Sequence, residues 1–570
     1  MIFFQTLVQC TVSVFSVPDP QPPPPDPSSI VMSSNFADLF EQTADRVPHR
    51  AAVVHGDRTA TFAELDVRAN RIAHTLAARG VGVGTHVGYL MHNSIETVET
   101  ILACFKLGAV LVNVGYWHGW AQIRHLCDHA DLEVLVHHRR YQPAVAEARQ
   151  SLPNLRHTIA VADEFTERRQ APSAASAETD LRAGLPFRPL TARGGEDLML
   201  VYTLGTTGPP KAIMWQHQDL ARVLAGSMDF HLDRLGARRL RGSHRGAGHP
   251  QWLVLVPLGD AAGVMPTLTA LLCGHTVVLT SQFDPDEIWR IVAEKRPQVL
   301  VSAGDAMARP LLDAYRRRPT DATSLTTIAS CAAPLSQSVK NALLEQFPWT
   351  DVFESIGSSE TGLRGAGVAR KDDDLARRSR FHLAPGTVVV DADGAPTETG
   401  SEGYLAATRN LPLGYYKDQR GTDSLLRATA RESLAISQDV ARVESDNTIT
   451  FIGRRDTSIE IAGVTVFVEE IENVLKSFDT IGDAMAIALP HPGRGSQIAA
   501  LVCSTDGTTL SSAALKRHLC RHLAWSKVPR LIWSAPTLPR SPSGKPDYRR
   551  VQSYIAERVP NHVLAPRGPA

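Results

Sequence analysis

The chain is 570 residues long and carries 59 Lys and Arg against 59 Asp and Glu, a formal net charge of zero. The length allows several hydrophobic cores and roughly two to four domains, and the neutral balance excludes a global electrostatic pull toward nucleic acid or an anionic membrane. The seven cysteines form no C-x-x-C pair and no Cys/His ligand spacing, which excludes a disulfide framework and a zinc site. Cys104, Cys273 and Cys503 stand in apolar surroundings and read as buried thiols of a reducing compartment, the cytoplasm.

Met1 to Val17 is apolar but has no basic residues ahead of it, and it is short for a membrane span. It runs into the proline-rich stretch Pro18 to Pro27, an extended, solvated composition. Residues 1–32 are therefore expected to be an unstructured tail or a misassigned start, with the folded protein beginning at Ser33. Leu65, Ala69, Ile72 and Leu76 recur at helical spacing and predict a helix that stops at Gly80. A second helix is expected over Ser94 to Leu107, stopping at Gly108 before the strand-like Ala109 to Val114. Leu198 to Tyr202, Trp252 to Val256, His275 to Leu279 and Gln298 to Ser302 are further apolar runs of strand length. Helical patterns lie between several of them, which argues an α/β fold with a mostly parallel sheet covered on both faces. Gly236 to Pro250 is rich in Arg, Gly and His and reads as a solvated surface loop. No internal repeat or coiled coil is visible.

The strand ending at Tyr202 feeds Thr203-Leu204-Gly205-Thr206-Thr207-Gly208-Pro209-Pro210-Lys211. Glycines let successive backbone N–H groups face one concavity, and the hydroxyls and the ammonium add donors for phosphate oxygens. This is not a Walker A loop, because Pro210 and Ala212 flank the lysine where Gly and Ser/Thr are required. An ordinary Gly/Thr loop is the competing reading. Downstream come the small-residue turn Ser330-Cys331-Ala332-Ala333-Pro334-Leu335 and the hydroxyl-and-carboxylate segment Phe353 to Gly362. They are followed by Leu413 to Asp418, by Asp439 after an expected strand, by Ile452 to Asp456, and by Arg540-Ser541-Pro542-Ser543-Gly544-Lys545-Pro546-Asp547-Tyr548. Each is weak alone; their order over more than three hundred residues is not.

That ordered set resembles the adenylate-forming superfamily of acyl- and aryl-CoA ligases, luciferases and peptide-synthetase adenylation domains, from Phe36 to about Tyr554. Ile213-Met214-Trp215, Gly304 to Pro310, Ser355 to Gly362 and Gly544 to Tyr548 make it most similar to actinobacterial fatty-acyl and steroid acyl-CoA ligases. The resemblance implies ATP and Mg²⁺, and an acid attacking the α-phosphorus to give an adenylate and pyrophosphate. It implies that Thr203, Gly205, Thr206, Thr207, Gly208 and Lys211 hold the β- and γ-phosphates. Ala332, Ala333 and Pro334 would flank the adenine on one side, with Ser355 and Ile356 on the other. Ser359 would meet the α-phosphate and Glu360 the Mg²⁺, while Asp439 and Arg454 would take the ribose or a phosphate. Lys545 would arrive near the α-phosphate as charge is redistributed, stabilising the transition state more than the ground state. Two domains follow: a large N-terminal domain over 33–453 and a small mobile α+β C-terminal domain over 457–560. Asp456 would sit at the hinge between them (454–456), a turn or helix cap being the alternative.

The sequence departs from that pattern in places. The usual post-hinge loop and aromatic-Pro pair are replaced by Ile461-Ala462-Gly463-Val464-Thr465-Val466-Phe467-Val468, which bears on whether CoA is the acceptor. Leu204 replaces a small residue and Gln438 the Gly that usually precedes Asp439. Asp260 stands where relatives have His or an aromatic residue. With Ala303 and Gly304 it would border the acid pocket, unless its loop turns it to water. An ionised Asp in an apolar pocket needs a partner, such as a substrate amine or hydroxyl, or it could serve as a base for an attacking amine. Three readings result. One is an acid–CoA ligase. The second passes an adenylate to an amine, as when nitrite is activated to diazotise an arylamine. The third is a non-catalytic nucleotide-binding homologue, against which the retained Thr206, Lys211, Glu360, Asp439, Arg454 and Lys545 argue.

Overall fold

The computed structural model describes residues 35–163, 181–203, 210–234, 249–371, 380–429, 433–461, 464–491, 495–505, 507 and 511–558. The proline-rich start, Gly205 to Gly208 and most of 236–250 lie outside these residues. Among them, fourteen strands form one large sheet and seven form a second.

The expected helices form where apolar spacing and caps agree. Phe62–Ala77 begins at Thr61, whose hydroxyl accepts from the Glu64 N–H while the Glu64 carboxylate accepts from the Thr61 N–H. It buries Leu65, Ala69, Ile72 and Leu76, the residues whose spacing announced it. Burying each large aliphatic side chain contributes about 1.5–3 kcal/mol. Ile95–Lys106 is capped by Ser94 and is buried all round, charged residues included. Glu99 survives there because Arg182 grips it at 2.6–2.9 Å, and Lys106 because Glu41 and Asp66 receive its ammonium.

The second sheet runs, in parallel register, through Leu198–Thr203, Val110–Asn113, His86–Leu90, Val134–His138 and His157–Val161. Lys211–Gln216 then folds back antiparallel on Leu198–Thr203. The large sheet carries the parallel strands Ala51–His55, Thr276–Leu279, Gln251–Val254, Val299–Ser302, Thr327–Ser330 and Asp351–Ser358. From Gly362–Ala369 onward it continues antiparallel, through Arg380–Leu383, Thr448–Arg454, Ser433–Val443 and Glu402–Ala407. The parallel sheet expected from the sequence is present, and the N-terminal domain as a whole is mixed α/β.

A smaller α+β unit follows. Helices Val468–Lys476 and Ser512–His522 pack with the strands Ile481–His491, Gly495–Ser504 and Leu531–Ser534 around Ile471, Leu475, Ala486, Ile498 and Leu519. It touches the larger domain at specific points. Lys476 Nζ lies 3.6 Å from Asp305 Oδ2, and Ser338 Oγ donates to the Lys476 carbonyl at 3.5 Å. A half-open cavity of about 380 Å³ lies between the two, with Tyr116, Phe283 and Arg309 on one side and Cys503 and Leu538 on the other. Of the three cysteines expected to be buried, Cys104 is fully so, and Cys273 and Cys503 are partly covered.

Candidate active site

Three strand ends supply the floor of the site. Val299–Ser302 is followed by Ala303 and Gly304, and Thr327–Ser330 by Cys331 to Pro334. Asp351–Ser358, the next strand in register, brings Ser355 and Ile356 alongside. Ala332 adopts φ +64 and Gly304 φ +54, so both turns bend sharply into one another. A Cβ on Gly304 would come within 2.6 Å of the Pro334 carbonyl oxygen, so only glycine fits there. Placing two loops outside the carboxyl ends of parallel strands makes the crevice where open α/β sheets bind ligands. The predicted set Ala303, Gly304, Ala332, Ala333, Pro334, Ser355 and Ile356 is thus gathered in one place.

The strand Asp351–Ser358 turns through Ser359, Glu360 and Thr361 into Gly362–Ala369. The Trp215 indole N–H donates to the Ser359 carbonyl at 2.8 Å and fixes this turn against the strand that starts at Lys211. The Glu360 carboxylate accepts from the Tyr415 hydroxyl at 3.1 Å. Tyr415 belongs to the short strand Gly414–Tyr415, which pairs with Lys211–Gln216. Its ring lies 4.7 Å beneath the Lys211 ammonium, which is also 3.5 Å from Asp418. Thr203 pairs across from Lys211, so both ends of the Gly/Thr loop are in place. Gly205, Thr206, Thr207 and Gly208 lie outside the described residues, as does Leu204.

Asp439 lies within Ser433–Val443 rather than after it, and it pairs directly with Arg454. The carboxylate is buried, and burial pushes its pKa up to about 6 against the pull of Arg454, whose Nη1 is 3.4 Å away. Its second oxygen, Oδ2, is enclosed and has no hydrogen-bond partner among the described residues. Arg454 also donates to both oxygens of Asp456 at 3.0 Å. Asp456 therefore holds a guanidinium, within the short 3-10 turn Arg455–Thr457. The Glu360 charge lies close enough to act on Asp439 and Arg454 alike.

Lys545 reaches the same crevice from the smaller domain. Gly544, at φ +76, is pressed against Ala303, where a Cβ would come within 2.7 Å of the carbonyl oxygen. Lys545 Nζ then lies 2.8 and 3.1 Å from the two oxygens of Asp260. Asp260 is 4% exposed, so the outward-turned alternative is overturned. Its partner is an amine, but one of the protein's own. Burial alone would raise the Asp260 carboxyl; the Lys545 ammonium and the N–H of Ala262 outweigh it and hold the group below its ordinary value. A carboxylate so engaged is a poor general base.

Sequence reasoning missed Tyr415 and Trp215 as participants. The aromatic directly after Gly414 was the available signal for Tyr415; Trp215 acts through a contact that pairing alone creates. Ala462 and Gly463, the substitutions in the post-hinge loop, lie outside the described residues. Glu360 and Asp439 fit a Mg²⁺–nucleotide in type. Mg²⁺ is characteristically held by one or two carboxylates together with substrate phosphates. Accordingly, among the described residues no group of three or more His, Cys, Asp or Glu forms a metal cage. No helix among them is long and apolar enough to cross a membrane.

Comparison with known proteins agrees with this geometry. The family model described as "AMP-binding enzyme" matches residues 40–416, and that described as "AMP-binding enzyme C-terminal domain" matches 470–545. The chain is 36% identical over 542 residues to a 3-oxocholest-4-en-26-oate–CoA ligase of Rhodococcus rhodochrous, covering 93% of this chain and 98% of that one. It is 37% identical over 541 residues to a medium/long-chain-fatty-acid–CoA/3-oxocholest-4-en-26-oate–CoA ligase of Mycobacterium tuberculosis, covering 94% and 99%. Among solved structures, the anthranilate CoA ligase AuaEII in complex with anthranoyl-AMP superposes with TM-score 0.77 at 21% identity over 93% of this chain and 99% of that one. ATP-bound MatB from Rhodopseudomonas palustris gives 0.77 at 22% identity over 92% and 100%. These two establish the fold.

Proposed function

The chain belongs to the AMP-binding enzyme family and is an ATP-dependent adenylate-forming ligase of the acyl-CoA synthetase superfamily, and from that premise we propose that it activates a carboxylic acid and transfers it to CoA. The acid oxygen attacks the α-phosphorus, the bond to the β-phosphate oxygen breaks, and pyrophosphate leaves. The observation that carries this reading is Lys545. A lysine from the smaller domain enters the crevice beside Ala303, Gly304 and the 332–334 turn. There its ammonium can follow the negative charge as it passes from acid to leaving group.

The other residues divide the nucleotide. Ala332, Ala333 and Pro334 take one side of the adenine, and Ser355 and Ile356, on the neighbouring strand, the other. Asp439 presents an unshared oxygen to the ribose hydroxyls, since one carboxylate accepts from both. Lys211, resting on Tyr415, and the Thr203 to Gly208 loop receive the β- and γ-phosphates, with Ser359 at the α-phosphate. Glu360 is the carboxylate toward Mg²⁺, which when bound neutralises phosphate charge. Arg454 and Asp456 form the hinge between a domain of residues 33–453 and one of 457–560. The steroid and fatty-acid relatives support an aliphatic or polycyclic acid.

A second reading is favoured by Asp260, a fixed negative charge beside the lysine that handles the acid. It suits a small acid such as nitrite with an arylamine acceptor, where the amine can lie against the carboxylate. One experiment separates the two. ATP is incubated with fatty, steroid and aryl acids plus CoA, and separately with nitrite plus an arylamine, and the products are weighed by mass spectrometry. A thioester supports the first reading; a diazo product replaces it with the second.

A further inference from the structure

We propose that Asp260 is a positioning residue, a tethered carboxylate that holds the Lys545 ammonium in the pocket and must be displaced from it by the substrate acid. The inference rests on the reading of Lys545 as the lysine of the adenylation step.

Three observations carry it. First, the contact is two-pronged and desolvated: Nζ meets both Asp260 oxygens, at 2.8 and 3.1 Å, with the carboxylate side chain 5% exposed and the lysine 24%. Second, Asp260 cannot swing aside freely. It is the N-cap of the helix Ala261–Leu272, its Oδ1 accepting from the Ala262 N–H at 3.0 Å. Gly544 is meanwhile seated on Ala303, so the loop is held at adjacent points. Third, among the described residues the charge acting on Asp260 comes down to that of Lys545. Tyr89, His118 and Cys331 feel the Asp260 charge, and burial raises the pKa of Tyr89 and Cys331 and lowers that of His118, which favours the neutral form of each.

The consequence is electrostatic. An incoming acid anion meets a neutral ion pair instead of a free ammonium. To bind Lys545 it must leave Asp260 without its partner, or share the lysine with it at close range, and either weakens acid binding. Before any acid arrives, the same pair anchors the smaller domain with Lys545 inside the crevice. A His or aromatic residue at this position would supply neither effect.

Asp260→Asn separates charge from capping, because Asn caps a helix as well as Asp does. Hydrogen exchange of the Ser541, Ser543, Gly544 and Lys545 amides reads the anchoring directly. In Asp260→Asn and in Lys545→Ala we expect protection there to fall about tenfold, with no further loss in the double variant. Protection of 261–272 should stay intact, which controls for folding. In steady-state pyrophosphate release, Asp260→Asn should lower the KM for the acid about tenfold while kcat falls. Wild-type protection and wild-type KM in Asp260→Asn would overturn the proposal, as would additive losses in the double variant. If the wild-type enzyme releases pyrophosphate with no acid, the adenylation reading fails instead, and the exchange measurement alone decides the anchoring.

Discussion

Asp260 and Asp439 are both buried aspartates in the same crevice, and their surroundings are opposite. Asp260 has a lysine on both oxygens and a helix N–H on one of them, and it is held ionised. Asp439 has an arginine at the long distance of 3.4 Å, one enclosed oxygen with no partner among the described residues, and a pKa pushed up to about 6. Burying a carboxylate without its full set of partners costs stability. Its persistence at Asp439 makes sense if a ligand supplies the missing donors. In the proposed reading the first region is complete by itself and is opened by the acid, whereas the second is completed by the nucleotide.

The comparison can be broken first at Lys545. Lys545→Ala should lower kcat for pyrophosphate release roughly 10²–10³-fold, and equal turnover would remove the lysine from the chemistry. Next is Asp439→Asn, which replaces one acceptor oxygen with a donor. It should raise the KM for ATP about ten- to a hundredfold, as loss of a charge-assisted hydrogen bond does, with a smaller change in the acid KM.

The same variant should behave differently in stability. The folded-state pKa is raised, so the contribution of Asp439 is fully favourable below its ordinary value of 3.8 and is lost as pH rises through about 6. The penalty at pH 8 is at most about 3 kcal/mol. Ligand-free Asp439→Asn should therefore melt higher than wild type at pH 8 and close to it at pH 4. A lower melting temperature at pH 8 would show that the ionised carboxylate is satisfied after all. The smallest effect belongs to Tyr415→Phe. It keeps the ring under Lys211 and removes only the hydroxyl on Glu360, so kcat/KM for ATP should fall about three- to tenfold.

The fold was legible where periodicity was strong. Leu65, Ala69, Ile72 and Leu76 mark a helix whose buried face is those residues, and Gly108, at φ +63, ends the next one. The parallel strands read as continuous apolar runs because both faces are covered. The antiparallel continuation after Gly362 was not legible. Several of its strands owe their place to a partner far along the chain, as Arg380 does to Thr450 and Glu402 to Arg442. In the site, the strand-end loops were singled out by the order of several motifs, each weak alone, and their roles are those the resemblance implies. What the sequence could not give was pairing. Asp260 looked like a charge in search of a substrate, and its partner lies 285 positions away on the other domain.

The central claim is that ATP is cleaved between its α- and β-phosphates. The most direct test incubates the purified protein with ATP, Mg²⁺ and the acid panel, nitrite included, and resolves the nucleotide products chromatographically. The account predicts AMP and pyrophosphate in equal amounts, dependent on one class of acid and abolished or nearly so in Lys545→Ala. ADP and inorganic phosphate as products, or AMP formation indifferent to Lys545, would contradict it.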